Sequence, residues 1–83
     1  EIEKVVLFGS RAIGNYKNGS DIDIAIFGKN VDYKIETRIS TLLNEELPIP
    51  YFVDVIAYDL IQNLELKKHI DKNGITIYEK NEN

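Results

Sequence analysis

The pattern of apolar and polar residues predicts three short strands along the chain. In a half-buried strand, apolar residues alternate with polar ones, whereas a strand buried on both sides is a short apolar run. Ile22, Ile24 and Ile26 show the alternation most clearly, and Gly28 ends the stretch that contains them. The predicted strands are residues 4–8, 21–27 and 51–57.

Two other stretches repeat their apolar residues at helical spacing. From Val31 to Leu47 apolar residues recur every three or four positions, which predicts an amphipathic helix that ends at Pro48. Residues 60–72 predict a second helix with a break near Asn63, and residues 75–78 predict a last short strand. We therefore predict an α+β fold (α/β-like), in which a small mixed sheet of three to four strands has its helices packed on one side.

The length and composition fit one small globular domain. The chain has 83 residues, of which 43% are hydrophobic and 29% are charged, and a chain of this size forms one modest core. We predict a single domain over residues 1–83, trimmed at its N terminus because the chain contains no methionine. No apolar run approaches the length of about 18 residues that a membrane-spanning helix needs. The absence of cysteine excludes disulfides and thiolate metal sites, and we expect a cytoplasmic location.

The charge of the chain bears on its partners. Lys and Arg number 10 and Asp and Glu number 14, which leaves a formal net charge of -4 at pH 7. Because proteins that bind a nucleic-acid backbone rely on clustered positive charge, the composition argues against direct binding of a nucleic acid. The single histidine, His69, follows two lysines, and we predict that it lies on the surface of its helix without binding a ligand.

Three aspartates occupy positions where a strand residue would normally be apolar. Asp21 and Asp23 point to the same side of their predicted strand, about 6.6 Å apart along it. Asp54 stands in the middle of the third predicted strand, where an unpaired buried charge is costly. Carboxylates this close repel each other, and Mg²⁺ relieves the repulsion because it binds hard oxygen ligands. If the third strand lies beside the second, all three aspartates face one magnesium site.

A glycine and a serine after the first strand predict a phosphate site. Gly9 lets a ligand approach the backbone closely, and the free N–H groups of the helical turn that follows can bind an anion. Ser10 adds a hydroxyl, and Arg11 is either a bidentate phosphate contact or a surface charge. Ser20 either hydrogen-bonds to the local backbone or contacts a phosphate. A phosphate cradle beside paired acids predicts a site for a nucleoside triphosphate and magnesium.

These residues carry a resemblance to a known family. Residues 8–14 read FGSRAIG, residues 21–23 read DID and residues 53–55 read VDV. This pattern, with its spacing between Gly-Ser and Asp-x-Asp, resembles the nucleotidyltransferases of the DNA polymerase β superfamily. Within that superfamily the chain is most similar to the minimal nucleotidyltransferases (MNT), the antitoxins of HEPN/MNT pairs. The resemblance covers nearly the whole chain and implies a small mixed sheet with packed helices.

The resemblance also implies a role for each candidate residue. Gly9 and Ser10 would hold the β- and γ-phosphates of ATP or another nucleoside triphosphate. Asp21 and Asp23 would bind two Mg²⁺ ions, and Asp54 would bind the catalytic ion and accept the proton of the attacking hydroxyl. The reaction would transfer AMP to a tyrosine hydroxyl of a HEPN-domain toxin and release pyrophosphate.

Two other functions stay open at the level of the sequence. One is an antitoxin without catalytic activity that neutralises its partner by binding alone. The other is a nucleotidyltransferase that modifies a small molecule such as an antibiotic. The complete set of site residues favours an enzyme over the binding-only antitoxin, and the lack of a second domain to hold an acceptor disfavours the small-molecule enzyme. We expect a partner to supply the acceptor, and both homo- and hetero-oligomers are compatible with the sequence.

Overall fold

The computed structural model describes residues 2–81, and its elements follow the predicted order. The elements are β1 (Lys4–Phe8), α1 (Ser10–Ile13), β2 (Ile22–Phe27), α2 (Tyr33–Thr41), a π-helical turn (Leu42–Glu46), β3 (Val53–Ala57), a 3₁₀ turn (Tyr58–Leu60), α3 (Leu64–Asn73) and β4 (Ile75–Glu79). Among these, no helix has both the length and the apolar character needed to cross a membrane.

The strands form one mixed sheet in the order β3-β2-β1-β4. β1 is antiparallel to both of its neighbours, whereas β2 and β3 are parallel. Phe8 at the end of β1 is opposite Asp23, and Asp23 is in turn opposite Asp54 on β3. The predicted small mixed sheet is confirmed, and its register brings the end of β1 together with two of the candidate acids.

Side chains of β2 and β3 alternate between two hydrophobic clusters on opposite faces of the sheet. The face that α2 covers contains the buried residues Ile24, Ile26, Val31, Val53, Val55 and Ala57. The face that α3 covers contains the buried residues Val6, Phe8, Ala25, Ile61 and Ile70. The helices therefore pack on both sides of the sheet, not on one side as predicted. The reason is that β2 and β3 present apolar residues on both faces, and each face needs its own cover.

The two predicted helices are shorter than their apolar patterns. α2 begins after Asp32, whose side chain accepts a hydrogen bond from the N–H of Ile35 at 3.0 Å. Its last turn widens, because the N–H of Leu47 donates to the carbonyl of Leu42 at 3.2 Å. The predicted break near Asn63 is confirmed, since the Asn63 side chain caps the start of α3.

The two edges of the sheet differ. Asn44, from the turn after α2, donates to the carbonyl of Val53 at 2.8 Å and accepts from its N–H at 2.7 Å. Glu36 of α2 accepts a hydrogen bond from the N–H of Ala57 at 2.7 Å. Side chains thus cover the backbone edge of β3. At the other edge, every residue of β4 is exposed, including the large apolar residues Ile75, Ile77 and Tyr78.

A close approach at Gly74 sets the position of α3 on the sheet. The N–H of Gly74 donates to the carbonyl of Ile70 at 2.9 Å, which ends the helix. A Cβ atom at this position would overlap both that carbonyl oxygen and the side chain of Val6 on β1. The end of α3 therefore lies directly against β1, and the last turns of the helix extend along the strand that leads to Gly9.

Candidate nucleotide and metal site

Three aspartates lie at one end of the sheet, at the start of two parallel strands. Asp23 and Asp54 are opposite each other in the register of β2 and β3. Both point to the α3 face, because their neighbours in each strand belong to the cluster on the α2 face. Asp21 directly precedes β2, and both Asp21 and Asp54 are exposed. The predicted grouping is present, although Asp54 is accessible to solvent where the sequence suggested burial.

Burial and the two neighbouring acids shift the pKa of Asp23. Its pKa is raised above the ordinary value of 3.8, first by burial, then by the charge of Asp54 and then by that of Asp21. The imidazolium form of His69 would lower this pKa by a smaller amount. Within residues 2–81, no Lys or Arg forms an ion pair with any of the three aspartates. A half-buried carboxylate repelled by two others is a favourable place for a cation.

The donor set fits magnesium when substrate completes it. Oxygen ligands from carboxylates suit Mg²⁺, which commonly binds one or two carboxylates together with substrate phosphates and water. Within the described part of the chain, no three His, Asp or Glu side chains already form a metal-binding group. Magnesium binding by Asp21, Asp23 and Asp54 therefore stays a prediction, in which triphosphate oxygens complete the set of ligands.

Gly9 joins the predicted phosphate turn to the acids. Its backbone angles are φ 77° and ψ -158°, a conformation that is essentially confined to glycine. A Cβ atom at Gly9 would overlap Oδ2 of Asp23 and lie 3.2 Å from its Cγ. The Asp23 carboxylate thus packs directly on the glycine backbone. Glycine is required here for two reasons, its conformation and the space that the carboxylate occupies.

Ser10 is the first residue of α1, and Gly9 occupies the N-cap position. The carbonyl of Gly9 accepts hydrogen bonds from the N–H groups of Ala12 at 3.1 Å and Ile13 at 3.3 Å. The N–H groups of Ser10 and Arg11 precede these two donors in α1, and they lie with the Ser10 hydroxyl at the same end of β1. The structure places Asp23 in contact with Gly9. Phosphate binding by Gly9 and Ser10 stays a prediction.

Arg11 and Ser20 meet in a contact that the sequence does not reveal. Nε and Nη2 of Arg11 donate to the carbonyl of Ser20 at 3.2 Å and 2.8 Å. The guanidinium lies over the rings of Tyr16 and Tyr51, at 4.7 Å and 4.6 Å from their centroids. The Ser20 hydroxyl donates to the carbonyl of Lys17 at 2.7 Å, which is the local backbone role. Arg11 therefore holds the peptide that precedes Asp21, and phosphate contact by Arg11 or Ser20 stays a prediction.

His69 is the site residue that sequence reasoning placed wrongly. It is half-buried, and its Nε2 accepts a hydrogen bond from the N–H of Gly9 at 3.0 Å. Its ring meets that of Phe8 edge to face, with centroids 6.1 Å apart. The sequence did indicate a buried position, because His69 follows Leu66 at helical spacing and adjoins Ile70. Both of these residues pack on the face of the sheet that α3 covers. The two lysines before His69 instead suggested an exposed stretch of helix.

Comparisons with known proteins identify the family of the chain and structures of similar fold. A family model described as polymerase beta, nucleotidyltransferase matches residues 1–83. A crystal structure of a toxin-antitoxin with AMP-PNP superposes with a TM-score of 0.67 at 20% identity, covering 95% of this chain and 62% of that chain. A crystal structure of the toxin-antitoxin MntA-HpeT, a mutant with two Asp-to-Glu substitutions, gives a TM-score of 0.72 at 19% identity, with coverage of 95% and 62%.

The likeness to these two structures is one of fold. At 20% and 19% identity, it does not extend to ligands or partners. The chain spans 62% of the length of the chains that it matches. No curated protein sequence matches it significantly.

Proposed function

Because the chain belongs to the polymerase β nucleotidyltransferase family, we propose that it is a magnesium-dependent enzyme that transfers AMP from ATP to a protein hydroxyl. The acceptor is a tyrosine of a HEPN-domain toxin, and the transfer neutralises that toxin. The class of nucleotidyltransferase follows from the family, whereas the metal, the nucleotide and the acceptor form the proposal.

One observation supports the proposal most strongly. The Asp23 carboxylate packs on the backbone of Gly9 and stands opposite Asp54 in the sheet. A turn with the character of a phosphate site and a group of acids with the character of a metal site are therefore adjacent. A nucleoside triphosphate with its metal is the ligand class that needs both at once.

The residues of the chain divide the chemistry among them. Backbone N–H groups of the turn at Gly9 and the Ser10 hydroxyl would bind and orient the terminal phosphates. Asp21, Asp23 and Asp54 would hold Mg²⁺, which stabilises charge on the attacking and leaving oxygens when it is bound. The acceptor oxygen forms a bond to the α-phosphorus, the bond from that phosphorus to the bridging oxygen breaks, and pyrophosphate leaves. Asp54, which is exposed, accepts the proton of the attacking hydroxyl.

The solved relatives favour a protein acceptor. Both structures are toxin-antitoxin complexes, and one of them contains AMP-PNP, a nucleotide related to ATP. The two substitutions of the mutant relative are aspartates two positions apart, the spacing of Asp21 and Asp23. The net charge of -4 also disfavours a nucleic acid as acceptor.

Mass spectrometry of the intact partner tests the proposal. The protein is mixed with the product of its neighbouring gene, which on this proposal is a HEPN-domain toxin, together with ATP and magnesium. We expect the partner to gain the mass of one adenylyl group (AMP less one water) at each modified hydroxyl. The double variant Asp21→Asn/Asp23→Asn should add no mass, and neither should the wild type in EDTA. Asp59→Asn, an exposed aspartate outside the site, is the matched control and should retain activity.

A different result identifies the alternative function. If the partner is never modified but is still neutralised by the wild type and by the double variant, the protein is an antitoxin that acts by binding alone. If the partner is neither modified nor neutralised, both toxin-directed functions are wrong.

A further inference from the structure

One side chain of α3 reaches the phosphate turn. The hydrogen bond from the N–H of Gly9 to Nε2 of His69, 3.0 Å long, joins residues 60 positions apart in the chain. The Phe8 ring contacts the imidazole edge to face, at an interplanar angle of 76°. The other ring nitrogen, Nδ1, lies 3.3 Å from the side-chain amide of Asn73. The imidazole is therefore held at Nε2 and on its ring, and Nδ1 adjoins the Asn73 side chain.

The group that His69 holds is a flexible point of the backbone at the site. Gly9 has φ 77° and ψ -158°, one of several conformations that are open to glycine. Two contacts select this one, the hydrogen bond to His69 and the packing of the Asp23 carboxylate on the glycine. The orientation of the Gly9 peptide in turn sets the direction of the chain as it enters α1 at Ser10.

We propose that His69 is a positioning residue for nucleotide binding, which acts through the acceptor atom Nε2 on the Gly9 peptide. The inference rests on the proposed function of the site and adds a residue to it. A neutral imidazole with its proton on Nδ1 presents Nε2 as an acceptor, and that is the form the hydrogen bond requires. His69 does not contact the reacting atoms in this role. It keeps the phosphate turn in the conformation that the triphosphate binds, so that binding does not have to order the turn.

Two substitutions separate this role from packing alone. The amide of glutamine in His69→Gln reaches approximately as far as Nε2 and can accept the hydrogen bond from Gly9. The shorter His69→Asn places its amide near the position of Nδ1, beside Asn73, and cannot reach Gly9. Lys68→Ala is the control on the same helix, because the Lys68 side chain is 75% exposed and its ion pair with Glu65 at 3.9 Å lies on the surface.

Calorimetric titration with ATP and magnesium measures the effect. We expect His69→Asn and His69→Ala to bind about 2- to 10-fold more weakly than the wild type, the range for loss of one neutral hydrogen bond. His69→Gln should retain most of the affinity, and Lys68→Ala should retain all of it. Because affinity for the nucleotide is the quantity measured, the Michaelis constant should rise more than the turnover number falls.

A second measurement needs no nucleotide. The amide of Gly9 in a ¹H–¹⁵N spectrum should exchange slowly with solvent in the wild type and in His69→Gln. It should exchange faster in His69→Asn and His69→Ala, because the acceptor is gone. If His69→Ala does not fold, the comparison of His69→Gln with His69→Asn tests the inference by itself.

The outcomes distinguish this inference from the proposed function. If the wild type binds ATP with magnesium and all three His69 variants bind equally well, the positioning role is wrong and the proposed function stands. If His69→Gln is as weak as His69→Asn, the ring acts by packing, and the role of Nε2 is wrong. If the wild type binds no ATP in the presence of magnesium, both the proposed function and the positioning role are wrong.

Discussion

The two faces of the sheet use the same strands for different purposes. On the α2 face, β2 and β3 present only apolar residues, and Ile26 is 1% exposed. On the α3 face, the same two strands present Asp23 and Asp54, and α3 adds His69. Burial of apolar surface stabilises the first face, whereas like charges gather at one end of the second.

This difference shows how a chain of 83 residues accommodates a charged site. Because side chains alternate along a strand, Asp23 and its neighbour Ile24 point to opposite faces of the sheet. Asp23 is then available to the candidate site, while Ile24 packs in the hydrophobic core. The acids also lie at the ends of their strands, which leaves Ala25 and Ile56 free to pack beneath α3. We therefore expect substitutions on the α2 face to change stability and those at the acidic end to change activity.

The largest effect should come from Asp54→Asn. The substitution keeps the shape of the side chain but removes a predicted metal ligand and proton acceptor. Turnover in AMP transfer should fall by at least about a hundredfold, the lower range for loss of a general base. The thermal unfolding midpoint should stay close to that of the wild type, because Asp54 is exposed. A turnover number close to that of the wild type would show that another residue is the third acid.

A smaller effect, on stability alone, is expected from Ile26→Val. The substitution removes one methylene group from the most deeply buried large residue, and such losses cost about 0.5–1.5 kcal/mol in the free energy of unfolding. Ile77→Val makes the same change at a position that is 57% exposed, and it should leave stability nearly unchanged. Urea unfolding measures both variants. A fall in turnover per folded molecule of Ile26→Val would show that the two faces are coupled.

The smallest effect should be a gain in stability from Asp23→Asn. Because the pKa of Asp23 is raised, the folded protein binds this proton more tightly than the unfolded chain does. The stability of the wild type therefore falls as pH rises from the ordinary value of 3.8 through the raised pKa, and the loss persists at neutral pH. In EDTA at neutral pH, the variant should unfold at a slightly higher temperature than the wild type.

A pH series provides the control for this gain. Below the ordinary pKa, Asp23 is protonated in both the folded and unfolded states, so the advantage of Asp23→Asn should disappear there. A variant that is less stable than the wild type at neutral pH in EDTA would contradict the account of repulsion among the acids. Added magnesium with ATP should favour the wild type, because the variant lacks a ligand.

Much of the fold and of the candidate acids follows from local patterns in the sequence. The first strand was predicted with its observed limits, residues 4–8, and the helix break at Asn63 was predicted from residue type. The spacing of Asp21 and Asp23 predicts a shared side of one strand without reference to any other part of the chain. The side of the sheet on which each helix packs was not predicted correctly, because apolar periodicity shows that a helix has a buried face and not which layer covers it.

The sequence by itself determined the elements, the acids, and the glycine and serine that follow β1, because each depends on neighbours a few positions away. Only the tertiary structure decided which distant groups meet them. The bond from Gly9 to His69 spans 60 positions, and the ring of Tyr51 lies over Arg11 across the sheet end. A polar side chain on a helix has many possible partners, and packing selects among them through the register of β1, β2 and β3 and the close approach at Gly74. His69 was therefore predicted to be a surface residue, and the fold instead placed its Nε2 on the backbone of the candidate site.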